Sequence, residues 1–296
     1  MDDELRTATV AHDSRYSAFI NHHSYFIVFS VPSIFPWCIL LVSTRMPTEK
    51  ATAIVIRTVE FSETSLVVTL FTREFGKIGA LAKGARRLKG PFESALDLLC
   101  LCRVVFLHKS SDALDLLTEA KLLRRFRPAG HELSGLYAGY YVAELLGELT
   151  DEDDPHPELF DLADETLVAL AAGESAAKWV ARFELGTLRL LGHAPSLDTC
   201  VECGAPVPPV GRVAFGLLDG GVFCNQCRGG KKQIAVLSAG VLKAMAQLAD
   251  PDGRAWRRME IDPHSLGELR GVLNRYLINL LGRKPRMHKY LGVLGG

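Results

Sequence analysis

Apolar residues between Ala51 and Leu123 fall in short runs: "ATAIVIRTVE", "SLVVTLFT", "GKIGALAKGA", "LLCLCRVVFLH" and "ALDLLTEAKLL". They are mostly rich in β-branched and aliphatic residues, the composition of short strands. "REFGK" separates the second run from the third and supplies a turn containing Gly76. The last run fits a strand or a helix, and periodicity leaves both open. From His131 to about Leu191 the period changes to 3.6. In "HELSGLYAGYYVAELLGEL", Leu133, Leu136, Tyr137, Tyr140 and Glu144 follow a helical stripe, with Val142, Leu145 and Leu149 broadening its apolar face.

The polar, proline-bearing "DEDDPHPEL" starts the next helix, and "PELFDLADETLVALAAG" and "SAAKWVARFELGTLRLLG" read as two helices. Gly173 and Gly192 fit their C-terminal ends. Two more helices follow in "LSAGVLKAMAQLAD" and "DPHSLGELRGVLNRYLINLLGRK". Ser238 and Asp262 are suited to cap them, and Pro263 to the first helical position of the second. Five short strands followed by helices predict a multidomain α+β chain. Its N-terminal part is a five-stranded barrel of the oligonucleotide-binding (OB) type.

The chain has 296 residues, enough for two or three domains. Residues 1–45 stand apart. "SYFIVFSVPSIFPWCILLV" is apolar for nearly the length of a membrane span. Pro32 and Pro36 interrupt it, and the preceding "MDDELR" is acidic, the wrong sign for a secretory leader. "MPTEKATAIVIR", from Met46, reads like a soluble start, so residues 1–45 are expected to be an upstream-translated extension without a role in the fold. A membrane anchor is the alternative.

Seven cysteines is an odd number, unlike an evenly paired secreted scaffold. Cys100 and Cys102 are expected as buried apolar residues on one face of a strand, and Cys38 as an ordinary thiol. The other four form "CVECGAPVPPVGRVAFGLLDGGVFCNQC", running from Cys200 to Cys227. Each Cys-x-x-Cys can bend into a knuckle that points two thiolates at one ion. "RVAF" and "GGVF" flank "GLLDGG" as a hairpin would. This is a zinc-ribbon arrangement holding one Zn2+ per chain through Cys200, Cys203, Cys224 and Cys227. Four thiolates leave no open position for water, so the role is structural. Redox pairs are the competing reading, but a redox enzyme needs one such pair, not two at this spacing.

The predicted divisions are an atypical extension (1–45), the OB barrel (46–126), a helical domain in two parts (127–199 and 231–296, the second with a basic tail) and the inserted four-cysteine zinc ribbon (200–230).

Net charge is zero, with 34 basic and 34 acidic residues, which argues against a uniformly basic nucleic-acid binder but hides local asymmetry. "AKGARRLKGPF" carries Lys83, Arg86, Arg87 and Lys89 with no acid among them, and Arg73 and Lys77 are near in sequence. Gly84, Gly90 and Pro91 keep it from being a regular helix. Between the third and fourth strands it can follow a nucleic-acid backbone beside a barrel face; the bland reading is a solvated loop. From Arg254 onward, Arg254, Arg257, Arg258, Arg270, Arg275, Arg283, Lys284, Arg286 and Lys289 face only Glu260, Asp262 and Glu268, while residues 144–165 are strongly acidic. This reads as a charged helical tail or as a second contact surface for nucleic acid or an acidic peptide. No dinucleotide, P-loop, zincin or nucleophile-elbow motif is present. "TDEDDPHPE" has carboxylates and His156 but lacks EF-hand spacing, and reads as an inter-helix turn.

In order along one chain, "VVTLFTREFGKIGALAKGARRLKGPFESALDLL", the two cysteine pairs with "GG" before the second, and "LNRYLINLLGRKPRMHKYL" resemble the RecO family of bacterial DNA repair and recombination mediators. The resemblance covers about residues 48–294. It implies a non-enzymatic protein of the RecF pathway, cytoplasmic and nucleoid-associated. It implies binding of single- and double-stranded DNA and annealing of complementary strands. It also implies partnership with RecR and contact with the acidic C-terminal tail of the single-stranded-DNA-binding protein, so that the RecA recombinase is loaded. Lys83, Arg86, Arg87 and Lys89 would be DNA contacts, and the four cysteines zinc ligands. The 45-residue leader has no family counterpart, and Gly90 stands where the family often has a small hydroxyl residue. Two other classes remain: a zinc-ribbon enzyme such as an NAD-dependent deacetylase, which needs a Gly-rich dinucleotide turn in a Rossmann-like domain, and a zinc-ribbon factor acting on RNA.

Overall fold

The computed structural model describes residues 47–87, 90–92, 95–109, 113–129 and 133–295. The expectations for residues 1–45, Cys38 and Lys89 lie outside these. Strands β1 (Thr48–Glu60), β2 (Leu66–Thr72), β3 (Gly76–Ala82), β4 (Leu101–Leu107) and β5 (Asp115–Arg124) close into a barrel of order β1-β2-β3-β5-β4. This is OB connectivity. The ambiguous last run is a strand because both its edges are taken, antiparallel by β4 and parallel by β3. The parallel seam is short: Ala80↔Asp115, Leu81↔Leu116 and Ala82↔Leu117.

Alternation sends Ala51, Ala53, Val55, Val68, Leu70, Ile78, Val104 and Phe106 into the barrel. The connection from β3 to β4 adds Phe92, Ala95 and Leu96 to that core. Cys100 and Cys102 are buried in it as expected, and burial pushes the Cys102 thiol up to about 12. The opposite face of β1 is covered too. Ile54 and Ile56, with Phe71, join the core of the helical part, which is why "AIVI" reads as an unbroken apolar run.

The helical part contains α1 (Leu133–Leu149), α2 (Pro157–Ala171) and α3 (Ala176–Leu190). A three-stranded sheet follows, β6 (Arg212–Gly216), β7 (Gly221–Phe223) and β8 (Ile234–Ser238), in the order β7-β6-β8. Then come α4 (Ala239–Ala249), the one-turn α5 (Ala255–Arg258), α6 (Pro263–Leu281) and a 3-10 segment, Arg286–Gly295. The caps fall where the sequence places them: Ser238 Oγ accepts from Val241 N–H at 3.4 Å and Asp262 Oδ1 from Ser265 N–H at 3.0 Å. Gly173 and Gly192 close α2 and α3 at φ of 80° and 78°. β8 has no counterpart among the strands expected from sequence, because its five residues run straight into α4.

The stripe read on α1 is displaced. Leu133 is exposed and Leu136, Tyr137 and Tyr140 are half-buried, whereas Ala138, Tyr141, Val142, Leu145 and Leu146 are buried. The cause is that α1 packs against β1 as well as α2 and α3. Tyr137 stacks on Tyr290 at 4.9 Å, and Glu144 accepts from the N–H groups of Arg286 and Met287 at 2.6 and 2.8 Å, so the outer edge of the stripe receives the C-terminal segment.

Glu184 of α3 is fully buried and lies between α1 and α6. Tyr141 Oη donates to its Oε1 at 2.7 Å, and Arg270 donates to both oxygens, at 3.0 Å on Oε1. Arg270 also reaches Asn274 Oδ1 at 3.1 Å. The Tyr141 hydroxyl is held well above its usual range, first by burial and then by the Glu184 charge. Replacing Arg270 by Met alone strands a buried carboxylate and is expected to cost about 3–5 kcal/mol. The set Tyr141→Phe, Glu184→Leu, Arg270→Met should recover most of that loss. Urea unfolding of the parent, the single mutant and the triple mutant checks it; a single mutant as stable as the parent would refute it.

Candidate metal centre and nucleic-acid interface

The expected hairpin is β6–β7, paired through Ala214↔Phe223, Phe215↔Val222 and Gly216↔Gly221. Cys224 follows β7 directly, so the hairpin delivers the second knuckle. The first is docked on it. Val201 N–H donates to Val222 O at 3.0 Å, Ser196 N–H to Gly220 O at 2.9 Å, and Val222 N–H to Ser196 O at 2.9 Å. β8 pairs with the other edge of β6 and leads into α4, tying the module to the helices.

The sulfurs of Cys200, Cys203, Cys224 and Cys227 lie within 4.8 Å of one another, close enough to hold one metal ion. Cys203 and Cys224 are 3.8 Å apart. A tetrahedron of thiolates about 2.3 Å from a central zinc has edges of about 3.8 Å. Backbone N–H groups, of Cys224 first and then of Cys203 and Glu202, draw the Cys200 thiol down to about 6. Cys227 goes up to about 12 because it shares protons with Cys224 and then Cys203. Four sulfurs this close cannot all be anionic without a cation among them. Among the described residues this is the one such cluster. In the "TDEDDPHPE" turn, His156 Nε2 is 3.0 Å from Asp154 Oδ2, and Asp153 N–H donates to Lys77 O at 3.0 Å, so that loop docks on β3.

The basic tract leaves β3 as an exposed turn. Lys83, Arg86 and Arg87 are exposed, with Gly84 at φ 75° and Arg87 N–H bonded to Gly84 O at 3.1 Å. Arg86 N–H donates to Thr64 O at 3.0 Å, and its guanidinium lies 3.1 Å from Glu60, so the tract is fastened to the β1–β2 turn. Phe92 lies in the barrel core and offers no ring to solvent.

Arg73 and Lys77 do not join this surface. Arg73 forms a two-pronged pair with Asp161 of α2 at 2.9 and 3.0 Å. The Lys77 ammonium donates to two carbonyls, Gly147 O at 2.9 Å and Thr150 O, at the C-terminal end of α1 where the helix dipole is negative. Gly76 between them has φ 71°, and a Cβ there would overlap the Asp154 carbonyl. The turn is therefore a dock between barrel and helices. The C-terminal asymmetry resolves in part the same way. Arg257 pairs with Glu165, Arg283 with Glu148 and Arg270 with Glu184. Arg257 also lies over the rings of Trp179 and Trp256, at 5.1 and 5.0 Å. Glu144, Glu148 and Glu165 of the acidic stretch 144–165 are thus partners of the C-terminal segment, while its Asp161 serves the barrel.

A closed five-stranded OB barrel with a cationic turn on its surface, joined to helices that carry a four-thiol ribbon, defines a barrel-and-ribbon protein. Residues 46–126 match the family described as Recombination protein O N terminal, and residues 130–289 match Recombination protein O C terminal. The chain belongs to the RecO family. Its relatives include the DNA repair protein RecO of Rhodopirellula baltica, 44% identical over 81% of this chain and 97% of that protein. Those of Anaeromyxobacter dehalogenans and Moorella thermoacetica are 36% and 31% identical, over 84% and 83% of this chain and 98% and 91% of theirs.

The thiol geometry predicts that Co2+ added to the reduced full chain gives the absorption of a tetrahedral four-thiolate site, saturating at one equivalent. Cys203→Ser should weaken binding and alter the spectrum while the barrel stays folded. An octahedral spectrum, or one unaffected by the substitution, would rule the site out.

Proposed function

We propose that the protein is a non-enzymatic DNA-binding mediator of recombinational repair. It binds single- and double-stranded DNA, anneals complementary strands, and acts with RecR and the acidic C-terminal tail of the single-stranded-DNA-binding protein to load RecA. The observation that carries this reading is the exposed Lys83–Arg87 turn fastened to a closed OB barrel. Lys83, Arg86, Arg87 and Lys89 neutralise phosphates, bringing strands close without reading their sequence. The family membership supports the partners and a cytoplasmic site of action.

The metal of the ribbon is zinc, one ion per chain, and it is structural. Four thiolates and the 3.8 Å edge fit zinc, and four-coordinate thiolate zinc has no position for a reacting water. When bound, the ion supplies cross-linking of the two knuckles. Metal analysis of protein purified without chelator is expected to find about one zinc per chain; its absence would remove this assignment. The competing deacetylase reading requires a doubly wound parallel sheet. The described residues contain a barrel and a small antiparallel sheet instead.

For single strands, log affinity falls with log salt by about 0.7 per neutralised phosphate, so four contacts account for a slope of about −3. Arg86→Ala/Arg87→Ala should make the slope shallower by about 1.4, equally on unrelated sequences. Arg73→Ala should leave it unchanged, since both oxygens of Asp161 hold that guanidinium at the junction with α2, whereas Arg86 has one contact with the exposed Glu60 and lies in the tract. Fluorescence anisotropy at several salt concentrations measures all three. An unchanged slope in the double mutant would place the DNA surface elsewhere, first on the basic residues after Arg254.

A further inference from the structure

Phe61 is the most exposed aromatic side chain among the described residues, at 64%. It stands just beyond the end of β1, in the turn to β2. That turn is tightly closed: Phe61 and Ser62 N–H both donate to Ser65 O, at 3.1 and 3.3 Å. Thr64 of the same turn accepts from Arg86 N–H, and Glu60, the residue before Phe61, holds the Arg86 guanidinium. The ring and the cations of the tract are thus set in one frame.

The barrel surface beside this turn is apolar. Register aligns Val59 with Val67, Val67 with Leu81, and Leu81 with Leu116 across four strands. Residues directly opposite one another share a face. The next positions, Val68, Ala80 and Leu117, lie in the barrel core, so this row points outward. Val59 is 43% exposed, and Val67, Leu81 and Leu116 are half-buried. Unlike Ile54, Ile56 and Phe71, the row is not part of the core shared with the helices.

A projecting ring beside an aliphatic row, flanked by exposed cations, matches a polyanion whose repeating unit also has a flat apolar face. Phosphates alone would need only the cations, and an acidic peptide would need an apolar side chain placed to meet the ring, whereas every nucleotide carries both a phosphate and a flat face. We infer that Phe61 is a stacking platform for a base of single-stranded nucleic acid, with the Val59–Leu116 row as the apolar floor under the neighbouring bases and the phosphates on Lys83, Arg86 and Arg87. The inference rests on the DNA-binding role proposed for the tract. It adds an element that discriminates single strands from duplex, since bases stacked inside a duplex present no free face.

The test compares the full chain with its Phe61→Ala, Phe61→Tyr and Arg86→Ala/Arg87→Ala variants. Each is titrated by anisotropy on an oligothymidylate and on an abasic oligonucleotide with the same number of phosphates. One lost base–aromatic stack corresponds to about 5- to 150-fold in affinity. Phe61→Ala should weaken binding to oligothymidylate by that factor with its salt slope unchanged. It should bind the abasic strand as the parent does, and Phe61→Tyr should restore affinity for oligothymidylate. Equal losses on both strands, a loss that tyrosine does not restore, or no loss at all would overturn the assignment. The last result, with a flattened slope in the arginine variant, would leave the tract as the DNA surface and give the apolar row to another partner. An unaltered slope in the arginine variant together with a base-dependent loss at Phe61 would instead overturn the tract reading alone.

Discussion

The carboxylate of Glu184 is fully buried, and the helical half of the molecule is organised by that fact. A buried charge is tolerated only where it is paired and fully hydrogen-bonded. Tyr141 and Arg270 meet that need from α1 and α6, elements 43 and 86 residues away from it in the chain. Apolar packing alone would let three helices slide or rotate by small amounts at little cost. A two-pronged guanidinium–carboxylate pair allows one relative setting. That setting fixes where the far end of α6 lies, and so where the C-terminal segment meets Glu144 and Tyr137.

The same economy of charge governs the junction with the barrel. Cations near the cationic tract in sequence are engaged by specific partners: Arg73 by Asp161 in an exposed pair, Lys77 by the carbonyls ending α1. Arg124 likewise pairs with Asp164. What remains facing solvent at the end of β3 is the short set from Lys83 to Arg87. A chain with zero net charge can therefore present a local positive field, because much of its acid is already committed inside the molecule.

Much of this is legible in the sequence. Short apolar, β-branched runs gave the five barrel strands, with only the last left open to a helix, and the Cys-x-x-Cys pairs with their intervening glycines gave the ribbon hairpin. The caps at Ser238 and Asp262 were visible because a capping side chain acts within three residues of itself. What escaped depended on distant partners. The inward face of α1 differs from the sequence stripe because helical periodicity assumes one buried side, and α1 is packed on several. β8 escaped because five residues before a helix carry no period of their own. The pairing of residues 144–165 with the C-terminal arginines has no signature in spacing. Arg257 and Glu165 are 92 residues apart, Arg283 and Glu148 135, and only the fold brings them together. Phe61 follows an apolar run in the sequence; that it stands beyond the end of β1, in the turn and exposed, shows only in the fold.

The barrel is closed by its weakest seam. β3 and β5 meet over three residue pairs, in parallel, while the other ladders of the barrel are longer and antiparallel. Local opening starts where the fewest backbone bonds must break, and this seam ends at Ala82, one residue before Lys83. A polyanion lying across the tract and the outward row would span β3 and β5 at that point and hold them together. Occupancy and barrel closure are then thermodynamically linked: amide protons along the seam would exchange more slowly in the bound state, and a seam that gapes would release the strand it holds.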